Sequence, residues 1–159
     1  MSCSSPEVTE SGIRSTVAHP TPAGAGSVLA VVVLYNRSFN DVPCASRLTQ
    51  WLAAPTTAST LLSLAHCVIY DNSPVAQPLD SDKYDRIELF HDLSNGGTRA
   101  AYLYALKIAR DKGYPWILFL DHDTDLPHDF FLDAERALTT TAHYTPVCAL
   151  VPHVFDGPA

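Results

Sequence analysis

The chain has 159 residues, of which 47% are hydrophobic, and a formal net charge of −7 from 17 acidic and 10 basic side chains. This balance is that of a globular domain with one sizeable core, and the excess of acids argues against a partner held through a nucleic-acid backbone. The four scattered cysteines form no CxxC pair, which argues against a zinc ribbon or a disulfide framework, and no apolar segment reaches the length of a membrane span, so we expect a cytoplasmic protein.

Residues 1–26 are rich in Ser, Thr, Pro and Gly and predict a flexible N-terminal tail, whereas residues 27–159 are expected to form one domain. Apolar runs bounded by turn residues predict strands at 28–34, 66–70, 86–90, 116–120 and 147–151. Apolar residues at helical spacing predict helices at 41–54, 56–65, 98–112 and 127–140. This order favours an α/β fold with an open, mostly parallel, Rossmann-like sheet.

Polar residues follow three of the predicted strands. Tyr35, Asn36 and Arg37 come after the first strand, residues 71–73 (Asp-Asn-Ser) come after the second, and a group of acids begins at Asp121. Because the carboxyl ends of parallel strands lie at one edge of a sheet, these three loops are expected to converge there. Convergence of polar loops predicts a ligand-binding site.

Asp121, Asp123 and Asp125 alternate along the stretch WILFLDHDTDLP at 116–127. If the backbone stays extended, the three carboxylates leave the chain on one side and repel one another. A hard cation such as Mg²⁺ or Mn²⁺, shared with substrate phosphates, would relieve that repulsion. The alternative is structural, because Asp125 or Asp129 could instead cap the following helix.

The turn Asn95-Gly96-Gly97 precedes the predicted helix at 98–112. Glycine lets the backbone approach a ligand closely, although such turns more often serve loop geometry alone. Arg99 on the first turn of the helix is placed to reach a phosphate or a base, but an exposed position on the helix surface is the usual role of such an arginine.

Four stretches carry a resemblance to a known family: VVVLYNR at 31–37, VIYDNS at 68–73, LSNGGTRAA at 93–101 and WILFLDHDTDLP at 116–127. In this order they resemble the nucleotide-binding half of family 2 glycosyltransferases of the GT-A fold, within them the bacterial rhamnosyltransferase-like branch. PVCALVPHVFDG at 146–157 resembles the strand and loop that follow in that family.

The resemblance implies a nucleotide-sugar donor, dTDP-, UDP- or GDP-linked, that binds along the sheet edge. In the family, Tyr-Asn after the first strand and Asp after the second approach the base, and a DxD pair contacts the ribose and a divalent metal, Mn²⁺ or Mg²⁺. The resemblance maps the base contacts onto Tyr35, Asn36 and Asp71, the ribose contact onto Asp121, and the metal ligands onto Asp121 and Asp123. The predicted nucleotide-sugar-binding residues also include Arg37, Asn95, Gly97 and Arg99.

The implied activity is an inverting, metal-dependent glycosyl transfer to a glycan or lipid-linked acceptor in the synthesis of cell-surface polysaccharide, which is compatible with peripheral association at the inner face of the membrane. In the family, the acceptor half with its general base follows the donor half, and it would lie beyond residue 159. A truncated, non-catalytic nucleotide-binding module is therefore the alternative. The chain also departs from the family at Tyr102 and Ala105, where Asn and Gly are common.

Overall fold

The computed structural model describes residues 26–54, 61–80, 84–141 and 149–152, so nearly all of the predicted tail at 1–26 lies outside the described residues. The chain forms two compact units, Met1–Asp125 and Leu126–Ala159. The described strands, all in the first unit, are β1 (Ser27–Leu34), β2 (Ser63–Asp71), β3 (Ile87–His91) and β4 (Trp116–Asp121). The described helices are a 3-10 helix (Phe39–Asp41), α1 (Ala45–Ala53) and α2 (Gly97–Lys112) in the first unit and α3 (Phe130–Thr141) in the second.

The four described strands form one sheet in the order β3-β2-β1-β4. Each strand pairs with its neighbour in parallel, and the prediction of an α/β fold with an open parallel sheet is therefore confirmed. The chain moves from β1 outward to β2 and β3 and then returns to the other side of β1 for β4. The side on which new strands are added therefore changes between β1 and β4, and this is the switch point of a Rossmann-like sheet.

The centre of the core is β1, all eight residues of which are buried. A strand that is apolar at nearly every position can bury both faces, and each buried Val or Leu stabilises the fold by about 1.5–3 kcal/mol. On one face the sheet packs against α2 through Ala101, Ala105 and Ala109. These small side chains let the helix approach the sheet closely. The sheet residues of this cluster are Leu29, Val31, Val33, Val68 and Tyr70.

On the opposite face of the sheet, α1 packs against β2. Cys67 alternates to that face of β2, and its thiol interacts electrostatically with that of Cys44 at the start of α1. Both are buried free thiols, and burial raises the pKa of Cys44 to about 11. Protonated, inaccessible thiols of this kind contribute to packing and have little reactivity.

The predicted helix at 41–54 is shorter in the structure and is preceded by a 3-10 turn. Val42 has φ −92° and ψ 143°, an extended conformation. Pro43 explains the break, because a proline disfavours the helical conformation of the residue before it. The helix therefore begins only at Ala45.

The predicted helix at 56–65 is wrong in its described C-terminal part, while residues 56–60 lie outside the described residues. Ser63 and Leu64 belong to β2, where they pair with Ser27 and Val28 of β1. Pairing with a central strand has overridden a local pattern of leucines that also fits a helix. The edge strand β3 was predicted to within one residue.

Two further predictions concern the second unit. The helix predicted at 127–140 begins at Phe130, after a turn in which the Phe130 N–H donates to the Pro127 carbonyl. Residues 149–151 of the predicted last strand are not in a strand, and 147–148 lie outside the described residues. In the part of the chain that the structure describes, no helix combines the length and apolar character needed to cross a membrane.

Candidate functional site

The predicted site residues lie at the carboxyl edge of the sheet, around the switch point. Val33 of β1 pairs with Tyr70 on one side and with Asp121 on the other, and Leu34 pairs with Asp71. Since neighbouring strands lie about 4.8 Å apart, the backbones of Asp71 and Asp121 are about 10 Å apart across the end of β1. Ligands of open α/β sheets bind in the crevice at such a position.

The loop after β1 lies between these two aspartates. Tyr35, Asn36 and Arg37 are exposed, and 47% of the surface of Tyr35 is accessible. Asn36 has a left-handed conformation, with φ 52°, which asparagine tolerates better than most residues. Its N–H donates to Ser73 Oγ at 2.8 Å, and this bond ties the β1 loop to the β2 loop.

Asp71 is fully buried, and its carboxylate is used within the chain. Oδ1 accepts from the Ser73 N–H at 2.9 Å, and Oδ2 accepts from the Gln77 N–H at 2.8 Å. Charge-assisted bonds from backbone N–H groups are strong and directional. In this structure Asp71 therefore shapes the loop at 72–77 and does not present a free carboxylate to a ligand.

Asn72 and Ser73 extend this network to the neighbouring segments. The Asn72 N–H donates to the Leu34 carbonyl at 3.0 Å, and Asn72 Oδ1 accepts from the Gly97 N–H at 3.1 Å. His91 Nε2 lies 2.7 Å from the Ser73 carbonyl oxygen. A carbonyl only accepts, so this ring nitrogen carries the proton. The network joins the ends of β1, β2 and β3 to the start of α2.

A second carboxylate, Asp92, organises the turn before α2. Oδ2 accepts from the Tyr70 hydroxyl at 2.8 Å and the Gly96 N–H at 2.9 Å, while Oδ1 accepts from the Ser94 N–H at 2.9 Å and the Ser94 hydroxyl at 2.6 Å. Burial opposes ionisation of Asp92, but these hydrogen bonds outweigh it and lower the pKa of the carboxyl. The negative charge of Asp92 thus partly compensates the positive end of the α2 dipole.

The Asn95-Gly96-Gly97 turn, which the sequence analysis noted, belongs to the segment that Asp92 organises through the Gly96 N–H. Asn95 has φ 49° and Gly97 has φ 69°. A Cβ on Gly97 would meet no atom within 4 Å, so the backbone conformation alone favours glycine there. A Cβ on Gly96 would lie 2.9 Å from Asp92 Oδ2. Arg99 is exposed on the first turn of α2.

The acids after β4 adopt a different arrangement from the extended one that would place them on one side. The backbone turns at His122 and Asp123, and the Thr124 N–H donates to the Asp121 carbonyl at 3.1 Å. The Asp121 N–H in turn donates to Thr124 Oγ at 3.2 Å. Asp121, Asp123 and Asp125 are all exposed. Their carboxylates are therefore accessible, but they do not continue the alternation of a strand.

These acids offer a metal ion only part of a ligand set. Over residues 26–54, 61–80, 84–141 and 149–152, no three His, Cys, Asp or Glu side chains form a group that could hold a metal. Mg²⁺ is usually bound through one or two carboxylates together with substrate phosphates and water. The exposed oxygens of Asp121 and Asp123 fit that mode, in which the substrate completes the site, and do not fit an all-protein site.

The departures from the family at Tyr102 and Ala105 fill positions in the packing of α2. Ala105 is fully buried against the sheet. The ring of Tyr102 packs on that of Phe119 in β4, with 4.1 Å between centroids. Burial and the negative charge of Asp121 both raise the pKa of Tyr102. The phenol therefore lies within electrostatic range of the exposed acids.

Asp92 and Tyr70 were not singled out from the sequence, and Asn72 was placed in a site loop without a prediction of its contacts with Leu34 and Gly97. The pattern of Asp92 two residues before Ser94, in front of a glycine turn, is the local signal that predicts an Asx turn. The bond from Tyr70 to Asp92 has no such signal because it joins residues 22 positions apart.

Comparison of the chain with protein-family models, with curated proteins and with solved structures found no match.

Proposed function

We propose that this chain is the donor-binding part of a metal-dependent, inverting glycosyltransferase, similar to family 2 enzymes of the GT-A fold. One observation carries the proposal. The exposed acids that follow β4 and the exposed loop that follows β1 lie on either side of the switch point in an all-parallel sheet. Both correspond to stretches that resemble donor-binding motifs of that family.

The donor would lie across the end of β1. Tyr35 offers an exposed ring on which a nucleobase can stack, beside the side chain of Asn36. Arg37 and Arg99 are exposed cationic groups for the phosphates, and the turn at Asn95 and Gly97 would support Arg99.

Asp71 has a positioning role in this scheme. Its buried carboxylate fixes the position of Ser73, and the Ser73 hydroxyl accepts the Asn36 N–H. Asp71 therefore positions the loop after β1, which carries the proposed base-binding residues.

Asp121 and Asp123 would hold Mn²⁺ or Mg²⁺ together with the diphosphate of the donor. When bound, such an ion neutralises the charge that develops on the departing nucleoside diphosphate. The two carboxylates also keep the cation at the edge of the sheet, next to the β1 loop. The acceptor would be a hydroxyl of a glycan or of a lipid-linked sugar.

Isothermal titration with UDP, GDP and dTDP, with and without Mn²⁺, tests the proposal. At least one nucleotide should bind, and binding should weaken at least about tenfold without the metal or in Asp121→Asn and Asp123→Asn. Asp111→Asn is the matched control, because Asp111 is an exposed acid in the last turn of α2, whereas the candidate site lies at the first turn of that helix. A folded protein that binds none of the three nucleotides would contradict the proposal, as would equal binding by Asp121→Asn and Asp111→Asn.

A non-catalytic nucleotide-binding module is the second candidate, and the commitment of Asp71 to the loop favours it. Release of nucleoside diphosphate from the corresponding nucleotide sugars in the presence of Mn²⁺ separates the two. Release that is lost in Asp121→Asn supports the transferase. Metal-dependent binding without release, across a panel of sugar acceptors, supports the module.

A further inference from the structure

The charge on α2 contrasts with that of the chain as a whole. The net charge of the chain is −7. The sixteen residues of α2 nevertheless contain four of the ten basic residues of the chain, and their single acid is Asp111. A local concentration of positive charge acts on a surface within a Debye length, about 8 Å at physiological ionic strength. For a surface in contact with α2, the charge of this helix therefore matters more than the net charge of the whole chain.

The basic residues of α2 share a face with two exposed leucines. On a helical wheel of 100° per residue, five residues fall within an arc of about 100°. They are Arg99, Leu103, Leu106, Lys107 and Arg110, and we call them the basic-leucine stripe. Leu103 is 54% exposed and Leu106 is 51% exposed. The buried alanines of the helix occupy the opposite side, against the sheet, so the stripe faces outward.

Two leucines one turn apart among cations are an unusual surface for a helix that contacts only water. The solvent-facing side of an amphipathic helix is normally polar, whereas here the apolar pair is flanked by Arg99, Lys107 and Arg110. Helices that lie on a bilayer surface combine these same elements. Their leucines enter the boundary between head groups and acyl chains, and their Lys and Arg contact anionic lipids.

We propose that the basic-leucine stripe docks α2 in the plane of an anionic lipid surface. The stems of Lys107 and Arg110 are long enough to keep their charges among the head groups while Leu103 and Leu106 are inserted. Arg110 Nε lies 3.2 Å from Asp111 Oδ1, and both side chains are exposed. An exposed ion pair contributes little stability, so lipid phosphates can replace Asp111 as the partner of Arg110. This inference is independent of the proposed reaction.

Docking would bring the candidate site close to the lipid. α2 begins at Gly97, whose N–H bonds Asn72 at the carboxyl edge of the sheet. A helix lying on the surface therefore keeps that edge beside the head groups. If the proposed function holds, this placement favours a lipid-linked acceptor over a soluble one.

The leucines are the reason for preferring lipid to a polyanion as partner. A nucleic acid would pair with the cations, but its phosphate backbone offers no apolar partner for the two leucines between them. Binding to a polyanion would therefore depend on the charges alone. Binding to lipid depends on both the charges and the leucines.

Vesicle flotation of the full chain tests the inference. Vesicles of phosphatidylcholine alone should carry little protein, whereas vesicles with about one third phosphatidylserine should carry it, less so at high salt. Leu103→Gln with Leu106→Gln should weaken this binding about tenfold or more. The matched control is Leu61→Gln with Leu132→Gln, since these leucines are 61% and 46% exposed and lie outside α2 and the turn before it.

A second matched pair isolates the charge. Arg110 and Arg136 are both exposed helix arginines, each 3.2 Å from an aspartate one or three residues away. Arg110→Gln should weaken binding to the anionic vesicles about fivefold, as expected for one cation at the lipid surface, and Arg136→Gln should leave it unchanged.

Three results would overturn the inference. One is failure of the folded protein to float with phosphatidylserine vesicles, and another is equal flotation with both lipid compositions. The third is a loss of binding in Arg110→Gln without any loss in the leucine double variant, which would show that the contact is electrostatic alone and that the leucines are not inserted. Circular dichroism of each variant establishes that it is folded.

Discussion

Asp71 and Asp121 end strands on either side of β1, yet they have opposite surroundings. Asp71 is fully buried, and both of its oxygens accept backbone N–H groups. Asp121 is exposed, and only its backbone groups take part in the turn that follows. Both residues follow an apolar run and precede a polar loop, so their sequence contexts are similar.

The difference lies in what the chain does next. After Asp71 the loop folds back so that the N–H groups of Ser73 and Gln77 point at the carboxylate. After Asp121 the chain makes a turn in which the Thr124 hydroxyl accepts the Asp121 N–H, and no described N–H points at the Asp121 carboxylate. An acid at a strand end is therefore structural where the following backbone encloses it. It is accessible to a cation or ligand where the backbone leaves it open.

The largest expected effect is that of Asp71→Ala on stability. The substitution leaves the buried N–H of Ser73 and the half-buried N–H of Gln77 without their acceptor, so the free energy of unfolding should fall by about 3 kcal/mol. Urea denaturation measures it. Asp121→Ala is the comparison, and equal losses in the two variants would show that the contrast between these residues is not energetic.

A smaller effect is expected for Asp92→Asn, and it should depend on pH. The variant loses charge-assisted bonds from Ser94, Gly96 and Tyr70, which should lower stability by about 1–2 kcal/mol at neutral pH. The pKa of Asp92 is lowered on folding. Its contribution is therefore present above the ordinary value of 3.8 and is lost as the pH falls through the folded value.

The measurement for Asp92 is the free energy of unfolding as a function of pH. The difference between the unsubstituted protein and Asp92→Asn should shrink as the solution is acidified below about pH 4. Asp111→Asn serves as the control, because it removes an exposed acid at the other end of α2. A difference that stays constant down to the lowest accessible pH would mean that the ionised carboxylate is not the stabilising form.

The smallest expected effect on stability is that of Asp121→Asn. Because the carboxylate of Asp121 is exposed, removing its charge should change the free energy of unfolding by no more than about 0.5 kcal/mol. The proposed function predicts that the same variant nevertheless loses metal-dependent nucleotide binding. A large loss of stability in Asp121→Asn would place this residue in the same structural class as Asp71.

Much of the sheet could be predicted from the sequence because its strands are continuous apolar runs. β1 and β4 were predicted to within one residue, and α2 was predicted from its apolar spacing. Gly113, with φ 74°, ends that helix. The order of the strands was not predicted. Only the pairing of β1 with both β2 and β4 shows where the switch point lies.

The candidate site was predictable at the level of loops and not at that of contacts. The sequence indicated that Tyr35 to Arg37, the loop after Asp71 and the acids from Asp121 would share one edge, and the parallel strand ends bring them there. The bond from Gln77 to Asp71 and that from Gly97 to Asn72 depend on how loops fold over one another. Periodicity and composition carry no information about such bonds.

The bond from Asn36 to Ser73, together with those from Asn72 to Leu34 and Gly97, has a consequence for protein engineering. The bonds join three segments that are far apart in the chain. Asn36 takes part through its backbone N–H, so a replacement for residues 35–37 would keep the bond to Ser73 only if position 36 retains its left-handed conformation. A replacement for residues 71–77 would have to keep a hydroxyl at position 73 and an acceptor for the Gly97 N–H at position 72.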